Sequence, residues 1–185
     1  ALMLVSIFID DPRWGLPLTF LKLPATGLAL AGLVVVKFLY QLFFFNATGE
    51  EVGWRGFALP RLQAKTSPLF AALIITLFWV PWHFFLWQAE GQPVLTWQFW
   101  MDSLLKTILF SVMIIWLYNR SKGSILVAGV THATGNTASL FIPLEMQGLY
   151  LTLLVGILLM ILIDRMWKKL PPNHPAVYQT PAPAV

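Results

Sequence analysis

The feature that most constrains the fold is a succession of apolar runs, each close to the length of a membrane-spanning helix. A bilayer core requires about 20 mostly apolar helical residues. The runs cover residues 25–45, 68–87, 97–118, 124–141 and 148–163, and we call them spans A to E. Only 11% of the residues are charged and the mean hydropathy is +0.73, whereas a soluble domain carries roughly a quarter charged residues. The sequence therefore predicts an all-α, polytopic transmembrane helical bundle of about five spans.

The two ends of the chain differ from this predicted bundle. Residues 1–9 are apolar and lack both an initiator Met and a basic leader. We interpret them as the last turns of a truncated transmembrane helix, and so expect a fragment of a larger bundle. Residues 1–167 form one predicted domain because no polar linker interrupts the spans. Residues 168–185 form a Pro-rich C-terminal tail, which we expect to be disordered or loosely surface-bound from Pro171 onward.

Basic residues alternate along the connections between the spans. The A–B loop, the C–D loop and the tail contain Lys and Arg, whereas the B–C and D–E loops contain neither. By the positive-inside rule the first three face the cytoplasm, which places the C-terminus there. The net charge of +4 is dispersed near the ends of the spans, which argues against nucleic-acid binding. The absence of cysteine excludes disulfides and thiolate metal sites.

Two adjacent glutamates and an arginine lie between two of the most apolar runs. Acidic residues at membrane depth are rare and usually mark a functional site, and the whole chain has only eight Asp and Glu. Glu51 and Arg55 are four residues apart with the acid first, the order that favours a helical ion pair. Glu50 then points about 100° away around the helix and is free for chemistry. In the alternative reading, both acids only solvate Arg55 near the membrane interface.

Whether span A carries this acidic pair as one helix is a separate question. We expect one helix that runs on to about Leu59 and is stopped by Pro60, with Gly49 as the place for a kink. A new helix, opened by a capping box at Thr48 and Glu51, is the alternative.

Two histidines and an asparagine complete the candidate site. His83 lies among aromatic residues near the end of span B, and taken alone it is typical of a structural interfacial histidine. His132 lies in the middle of span D, with Asn136 one turn later on the same face. At about 1.5 Å per helical residue, Glu50, His83 and His132 fall near a common depth. We therefore expect them to share a cavity.

These side chains support two kinds of hydrolysis. Glu50, His83 and His132 can hold a catalytic zinc, which takes three protein ligands and a water. Alternatively, Glu50 removes a proton from water while His132 and Asn136 stabilise the oxyanion. A haem held by the two histidines would leave the glutamates unexplained, and a proton-coupled transporter lacks the expected internal repeat. The two hydrolytic readings stay open.

Three motifs in this order resemble those of the CPBP family of intramembrane metalloproteases. The motifs are Glu50-Glu51-x-x-x-Arg55, Trp79-x-x-x-His83 and His132-x-x-x-Asn136. The family includes the CAAX prenyl endopeptidases and the bacteriocin-processing or bacteriocin-immunity proteins, also called ABI proteins. The sequence from Glu50 to Gln63 is similar to its bacterial members. The second motif usually begins with Phe, and here that place is Trp79; the aromatic replacement leaves His83 in place and so puts little in doubt.

The resemblance implies an intramembrane endopeptidase in a bacterial plasma membrane, acting on a peptide or lipidated-protein substrate. Glu50 would activate water, and His83 and His132 would bind a metal or polarise the substrate. Asn136 would support the oxyanion, and the ion pair of the first motif would brace the site. The implied cofactor is zinc, with a metal-free glutamate mechanism left open. A catalytically silent scaffold or immunity protein of the same fold is the alternative function.

Overall fold

Every regular element in the described part of the chain is a helix. The computed structural model describes residues 28–44, 46–141 and 147–179. Its helices are α1 (Leu28–Phe44), α2 (Asn46–Glu51), a π-helical segment (Val52–Ala58), α3 (Leu59–Lys65), α4 (Pro68–Trp82), α5 (Phe84–Ala89), α6 (Trp97–Arg120), α7 (Ile125–Phe141) and α8 (Gln147–Ile163). No strand occurs within these ranges. The predicted all-α class is confirmed, while the predicted N-terminal remnant lies outside the described residues.

Among these residues, three helical stretches are long and apolar enough to cross a membrane, judged by length and composition. They are Ala31–Lys65, Pro68–Ala89 and Trp97–Arg120, which correspond to spans A, B and C. Helices α7 and α8 have 17 residues each, at the short end of the spanning range. A polytopic helical bundle is the architecture, and span D is shorter than the first three.

Span A changes its geometry at the acidic pair rather than ending there. The helix passes through Gly49 and Glu50 without a break, and from Val52 to Ala58 it is π-helical, as in the Leu59 N–H bond to the Trp54 carbonyl. The expected stop at Pro60 is wrong, because the helix resumes as α3 and ends at Lys65. Pro60 falls in the first turn of α3, where a missing N–H does not interrupt the α-helical ladder.

Span B is divided, which the sequence reading did not anticipate. Ser67 caps α4 by accepting a hydrogen bond from the Phe70 N–H at 3.3 Å, as its sequence predicts. Pro81 lies inside the last turn and cannot donate to the ladder, and the helix ends at Trp82. His83 occupies the junction before α5 begins. The break therefore falls at a predicted site residue.

The core lies where α4, α6 and α7 meet, with α1 and α2 packed on the other side of α7. Small buried residues, Ala71 and Ala72 on α4 and Ala128 on α7, allow these helices to approach closely. Large side chains of α6, among them Ile114 and Ile115, fill the space between. This arrangement brings the first motif, on α2 and the π segment, against the third motif, on α7.

The three basic connections lie at one end of the bundle, as their alternation requires. Arg120, at the end of α6, donates to Asp164 after α8 at 2.8 and 2.7 Å. Gln63 of α3 exchanges hydrogen bonds with the Asn119 side chain at 3.0 and 2.8 Å and donates to the Ala176 carbonyl at 2.9 Å. We call this the tail end of the bundle.

The tail is ordered against this end up to residue 179, so the expectation of a disordered or loose tail is wrong for that part. Ala176 is fully buried, and the Tyr178 N–H donates to the Pro60 carbonyl at 3.1 Å. The Arg61 guanidinium lies 4.4 Å from the centre of the Tyr178 ring. Proline-rich composition alone missed these contacts because they depend on the tertiary surface that α3 presents. The domain division at residue 168 stays a prediction.

Candidate active site

The first motif forms a buried charged cluster at the junction of α2 and the π segment. Arg55 Nη1 donates to Glu51 Oε1 at 2.7 Å, and both side chains are fully buried. The predicted ion pair is therefore present. His132 Nδ1 lies 2.8 Å from the same Glu51 oxygen, and Arg55 Nη2 donates to Ser111 Oγ at 3.3 Å. We call Glu51, Arg55, His132 and Ser111 the inner cluster.

Glu50 points away from the inner cluster, as the helical angle between neighbours requires. Its Oε2 accepts a hydrogen bond from Trp79 Nε1 at 2.6 Å. Its Oε1 lies 3.9 Å from His83 Nε2, beyond direct hydrogen-bonding distance. The Glu50 and His83 side chains are 13% and 14% exposed. We call Glu50 and His83 the outer pair.

The helix break at His83 sets the orientation of its ring. The His83 N–H bonds to the Val80 carbonyl at 3.1 Å, one residue short of the α-helical partner. The carbonyl of Trp79 is thereby released from the ladder, and His83 Nδ1 lies 2.8 Å from it. Because a carbonyl only accepts, Nδ1 carries a proton, and Nε2 is the nitrogen that faces Glu50. Stacking on Trp87, at 5.0 Å between ring centres, holds the ring.

His132 differs from the sequence expectation in its partner. We expected it to share a cavity with Glu50, but its ring is hydrogen-bonded to Glu51 and is 2% exposed. The π segment and the tight contact of α2 with α7 produce this pairing. A carboxylate only accepts, so the Nδ1 proton faces Glu51 and Nε2 lies on the opposite side of the ring.

The surroundings of His132 are aromatic and close-fitting. The rings of Trp79 and Phe110 meet it edge-on, at 5.2 and 5.6 Å between ring centres. Phe110 can approach because Gly135 has no side chain, and a Cβ there would lie 2.5 Å from the Phe110 ring. Asn136 lies one turn along α7, and its Nδ2 donates to Gln41 Oε1 of α1 at 3.4 Å.

Fit to a zinc ion can be judged from the donor groups. Each histidine has its Nδ1 held by an oxygen acceptor, which is the outer support typical of metal-binding histidines. However, no three His or acidic side chains converge closely enough to hold a metal ion in the described ranges. The expected set of Glu50, His83 and His132 is divided between the outer pair and the inner cluster. The residues as arranged do not form a three-ligand zinc site, and zinc binding stays a prediction that metal analysis of the purified protein checks.

Sequence reasoning missed four residues that touch the site. Trp79 was noted only as the start of its motif, and Ser111 and Phe110 of α6 were not singled out. Gln41 gave a usable signal, because it is a polar residue in a strongly apolar span and is 5% exposed. The hydrogen bond between Arg55 and Ser111 of α6 links positions 56 apart along the chain, which no local pattern reveals.

Comparisons with known proteins agree with these motifs. The family described as type II CAAX prenyl endopeptidase Rce1-like matches residues 32–138, which include all three motifs. The chain is also similar to CAAX prenyl protease 2 of Methanococcus maripaludis, with 29% identity over 96 residues. That alignment covers 49% of this chain and 35% of the relative, so the chain spans only about a third of the relative's length. No solved structure matches. The chain belongs to the Rce1-like family of type II CAAX prenyl endopeptidases.

Proposed function

We propose that the protein is an intramembrane endopeptidase in which Glu50 activates the water that hydrolyses a peptide bond. One observation carries the proposal: Glu50 Oε1 and His83 Nε2 face each other at 3.9 Å, and both side chains are partly exposed. A polar gap of this width is where a bridging water belongs. A base must lie within hydrogen-bonding reach of the proton that it removes, directly or through one water.

In the chemical step, Glu50 Oε1 takes a proton from this water as the water oxygen attacks the carbonyl carbon of the substrate. His83 orients the water, because its Nε2 accepts a hydrogen bond from the second O–H of the water. Its Nδ1–H is already engaged in a hydrogen bond to the Trp79 carbonyl. The tetrahedral intermediate then collapses and the C–N bond breaks. The proton held by Glu50 passes to the departing amine, which restores the Glu50 carboxylate. The new carboxylic acid gives its remaining proton, the second proton of the attacking water, to solvent and becomes a carboxylate.

Two groups of α7 are proposed to stabilise the oxyanion of the intermediate. His132 is fixed through its Nδ1 by Glu51, so in the doubly protonated ring the Nε2–H is the donor that can meet a substrate oxygen. Asn136 offers an amide N–H₂ one turn away, now bonded to Gln41 at a long 3.4 Å. This bond is longer than the usual range of about 2.7–3.2 Å for an N–H···O hydrogen bond, and we propose that the amide turns toward a substrate oxygen during the reaction. Removal of one such donor typically lowers kcat by about 10²–10³-fold.

The proposed substrate is a membrane-associated peptide, either a lipidated CAAX-type protein or a bacteriocin-like peptide. The family, and the similarity to CAAX prenyl protease 2 of Methanococcus maripaludis, support the first class. Long apolar helices around the site support a bilayer setting. We further propose a bacterial plasma-membrane location with the tail end of the bundle in the cytoplasm, because the basic connections gather there.

The test is cleavage of a quenched fluorescent peptide with a farnesylated CAAX end, in detergent micelles or proteoliposomes. Glu50→Gln keeps the side-chain shape and removes the base, and we expect turnover to fall by about 10²–10⁴-fold. Asp102→Asn is the matched control, because Asp102 is 57% exposed on α6 and forms an ion pair with Lys106 at 2.7 Å. Full cleavage by folded Glu50→Gln protein would reject the enzymatic role of Glu50. It would favour a silent scaffold or immunity protein of the same fold.

A further inference from the structure

Trp79 contacts side chains of all three motifs of the candidate site. It is 2% exposed, and its Nε1–H donates to Glu50 Oε2 at 2.6 Å. The face of its ring lies under the Arg55 guanidinium, 4.4 Å from ring centre to Cζ. Its edge-on contact with His132 has a ring-centre distance of 5.2 Å. Its backbone carbonyl meets His83 Nδ1 at 2.8 Å. Trp79 thus joins the outer pair to the inner cluster.

The Trp79 indole N–H binds one carboxylate oxygen of Glu50 and leaves the other facing His83. Oε2 is occupied by a short hydrogen bond to a ring that has little freedom to move, because Trp79 is also stacked on Phe110 at 6.1 Å. Oε1 is thereby left as the oxygen that faces His83. A glutamate without this bond could rotate its terminal torsion, which is intrinsically soft.

We infer that Trp79 is a positioning residue that fixes the Glu50 carboxylate through its indole N–H, an inference that rests on the proposed role of Glu50 as base. A Phe at this place, which is usual in the family's second motif, would keep the aromatic contacts but has no N–H to donate. Trp79 therefore makes one contact with the proposed base that a Phe could not make. It adds a charge-assisted hydrogen bond to the proposed base.

Trp79→Phe isolates the effect of the N–H. The bond from His83 goes to the backbone of residue 79 and survives the change, as do an aromatic face for Arg55 and an edge for His132. Hydrogen bonds to charged groups are the strong ones, so we expect kcat to fall about ten- to a hundredfold. KM should change less than about twofold, because Trp79 is buried and its loss removes no direct substrate contact.

Trp100→Phe is the matched control, because it also deletes an indole N–H that is hydrogen-bonded, here to the Val94 carbonyl at 2.8 Å. Its kcat should stay near that of the wild type.

The coupling between Trp79 and Glu50 is measured by repeating Trp79→Phe in a Glu50→Asp background, where the carboxylate is drawn back by one methylene. If Trp79 acts through Glu50, the loss in kcat should be much smaller there. An equal loss in both backgrounds overturns the inference.

A second measurement does not depend on turnover and separates this inference from the proposed function. In a spectrum of protein labelled with ¹⁵N at its nine Trp indoles, the N–H proton bonded to a carboxylate should lie downfield. That peak should disappear in Trp79→Phe and move upfield in Glu50→Gln, which keeps the fold. An unmoved Trp79 peak in Glu50→Gln overturns the inference even if Trp79→Phe fails to fold.

Together, the activities of the two variants separate the positioning role of Trp79 from the proposed role of Glu50 as base. Inactive Glu50→Gln together with fully active Trp79→Phe overturns the positioning role and leaves the proposed function standing. Active Glu50→Gln rejects the proposed base, and the positioning role with it, whatever the indole spectrum shows. A lowered kcat in Trp79→Phe, its loss in the Glu50→Asp background and a shifted indole peak together support the positioning role.

Discussion

The two neighbouring carboxylates of the first motif lie in contrasting surroundings. Glu51 is fully buried, and its Oε1 receives both Arg55 and His132 at 2.7 and 2.8 Å. Glu50 is 13% exposed, holds one indole N–H and faces a histidine across a gap of 3.9 Å. One peptide bond separates a fully buried carboxylate that is paired with an arginine and a histidine from a partly exposed one whose Oε1 is open to other contacts.

The difference in burial between Glu50 and Glu51 indicates which of the two acids can act as a base. A buried charge that loses its partner is costly, so we expect Glu51 to stay paired with Arg55 and His132. A partly exposed carboxylate with an uncommitted oxygen can accept a proton and return it. The inner cluster is therefore suited to bracing α2, α6 and α7, and the outer pair to activating water.

The largest expected effect comes from breaking the inner cluster. Arg55→Met leaves the Glu51 charge in a buried place with His132 as its remaining partner. Removal of one partner from a buried ion pair typically costs about 3–5 kcal/mol. We expect a loss of that size in the free energy of unfolding, measured by denaturation in detergent.

Lys106→Met is the matched control for this change. Lys106 and Asp102 also form an ion pair four residues apart at 2.7 Å, but their side chains are 49% and 57% exposed. Exposed pairs contribute about 0–1 kcal/mol. Equal losses in the two variants would contradict the bracing role of the inner cluster.

A smaller effect is expected from crowding the Phe110 ring, which packs between the inner cluster and Trp79. Gly135→Ala places a Cβ 2.5 Å from the Phe110 ring, which contacts both Trp79 and His132. Overpacking of this kind typically costs about 1–3 kcal/mol, and cleavage should fall because both rings shift. Gly156→Ala on α8 is the control, since nothing lies within 4 Å of the added Cβ. An equal loss of cleavage in Gly156→Ala would show that the effect does not come from the contact with Phe110.

The smallest effect is expected at the tail end of the bundle. Hydrogen bonds from Arg120 hold the pKa of Asp164 below its ordinary value of 3.8. A lowered pKa stabilises the fold at neutral pH, and this contribution is lost as the pH falls through the folded-state value. Both groups are partly exposed, so Asp164→Asn should cost about 1 kcal/mol or less at pH 7. The difference from the wild type should shrink below about pH 4, and a difference that is constant from pH 7 to 3 would contradict the pairing.

Local patterns predicted the parts of this structure that depend on near neighbours in the chain. Span lengths followed from hydropathy, the Ser67 cap from its residue type, and the Glu51–Arg55 pair from a spacing of four. Each of these features is decided within a few helical turns, where residue type and helical periodicity act directly.

Features that depend on tertiary contacts were not predicted. His132 pairs with Glu51 rather than sharing a cavity with Glu50, because the π segment and the packing of α7 set their relative positions. The break at His83 had a signal in Pro81, which we did not use. The packing of Tyr178 against Pro60 could not be derived from composition, because it requires the surface made by α3.

The most direct test of the division between the two acids compares Glu50→Gln with Glu51→Gln in one cleavage assay and one unfolding measurement. We expect Glu50→Gln to keep the wild-type free energy of unfolding to within about 1 kcal/mol and to lose about 10²–10⁴-fold in turnover. Glu51→Gln should lose about 3 kcal/mol or more of stability, because it leaves Arg55 buried without its carboxylate. A Glu51→Gln protein as stable as the wild type, beside a Glu50→Gln protein that still cleaves, would contradict the division.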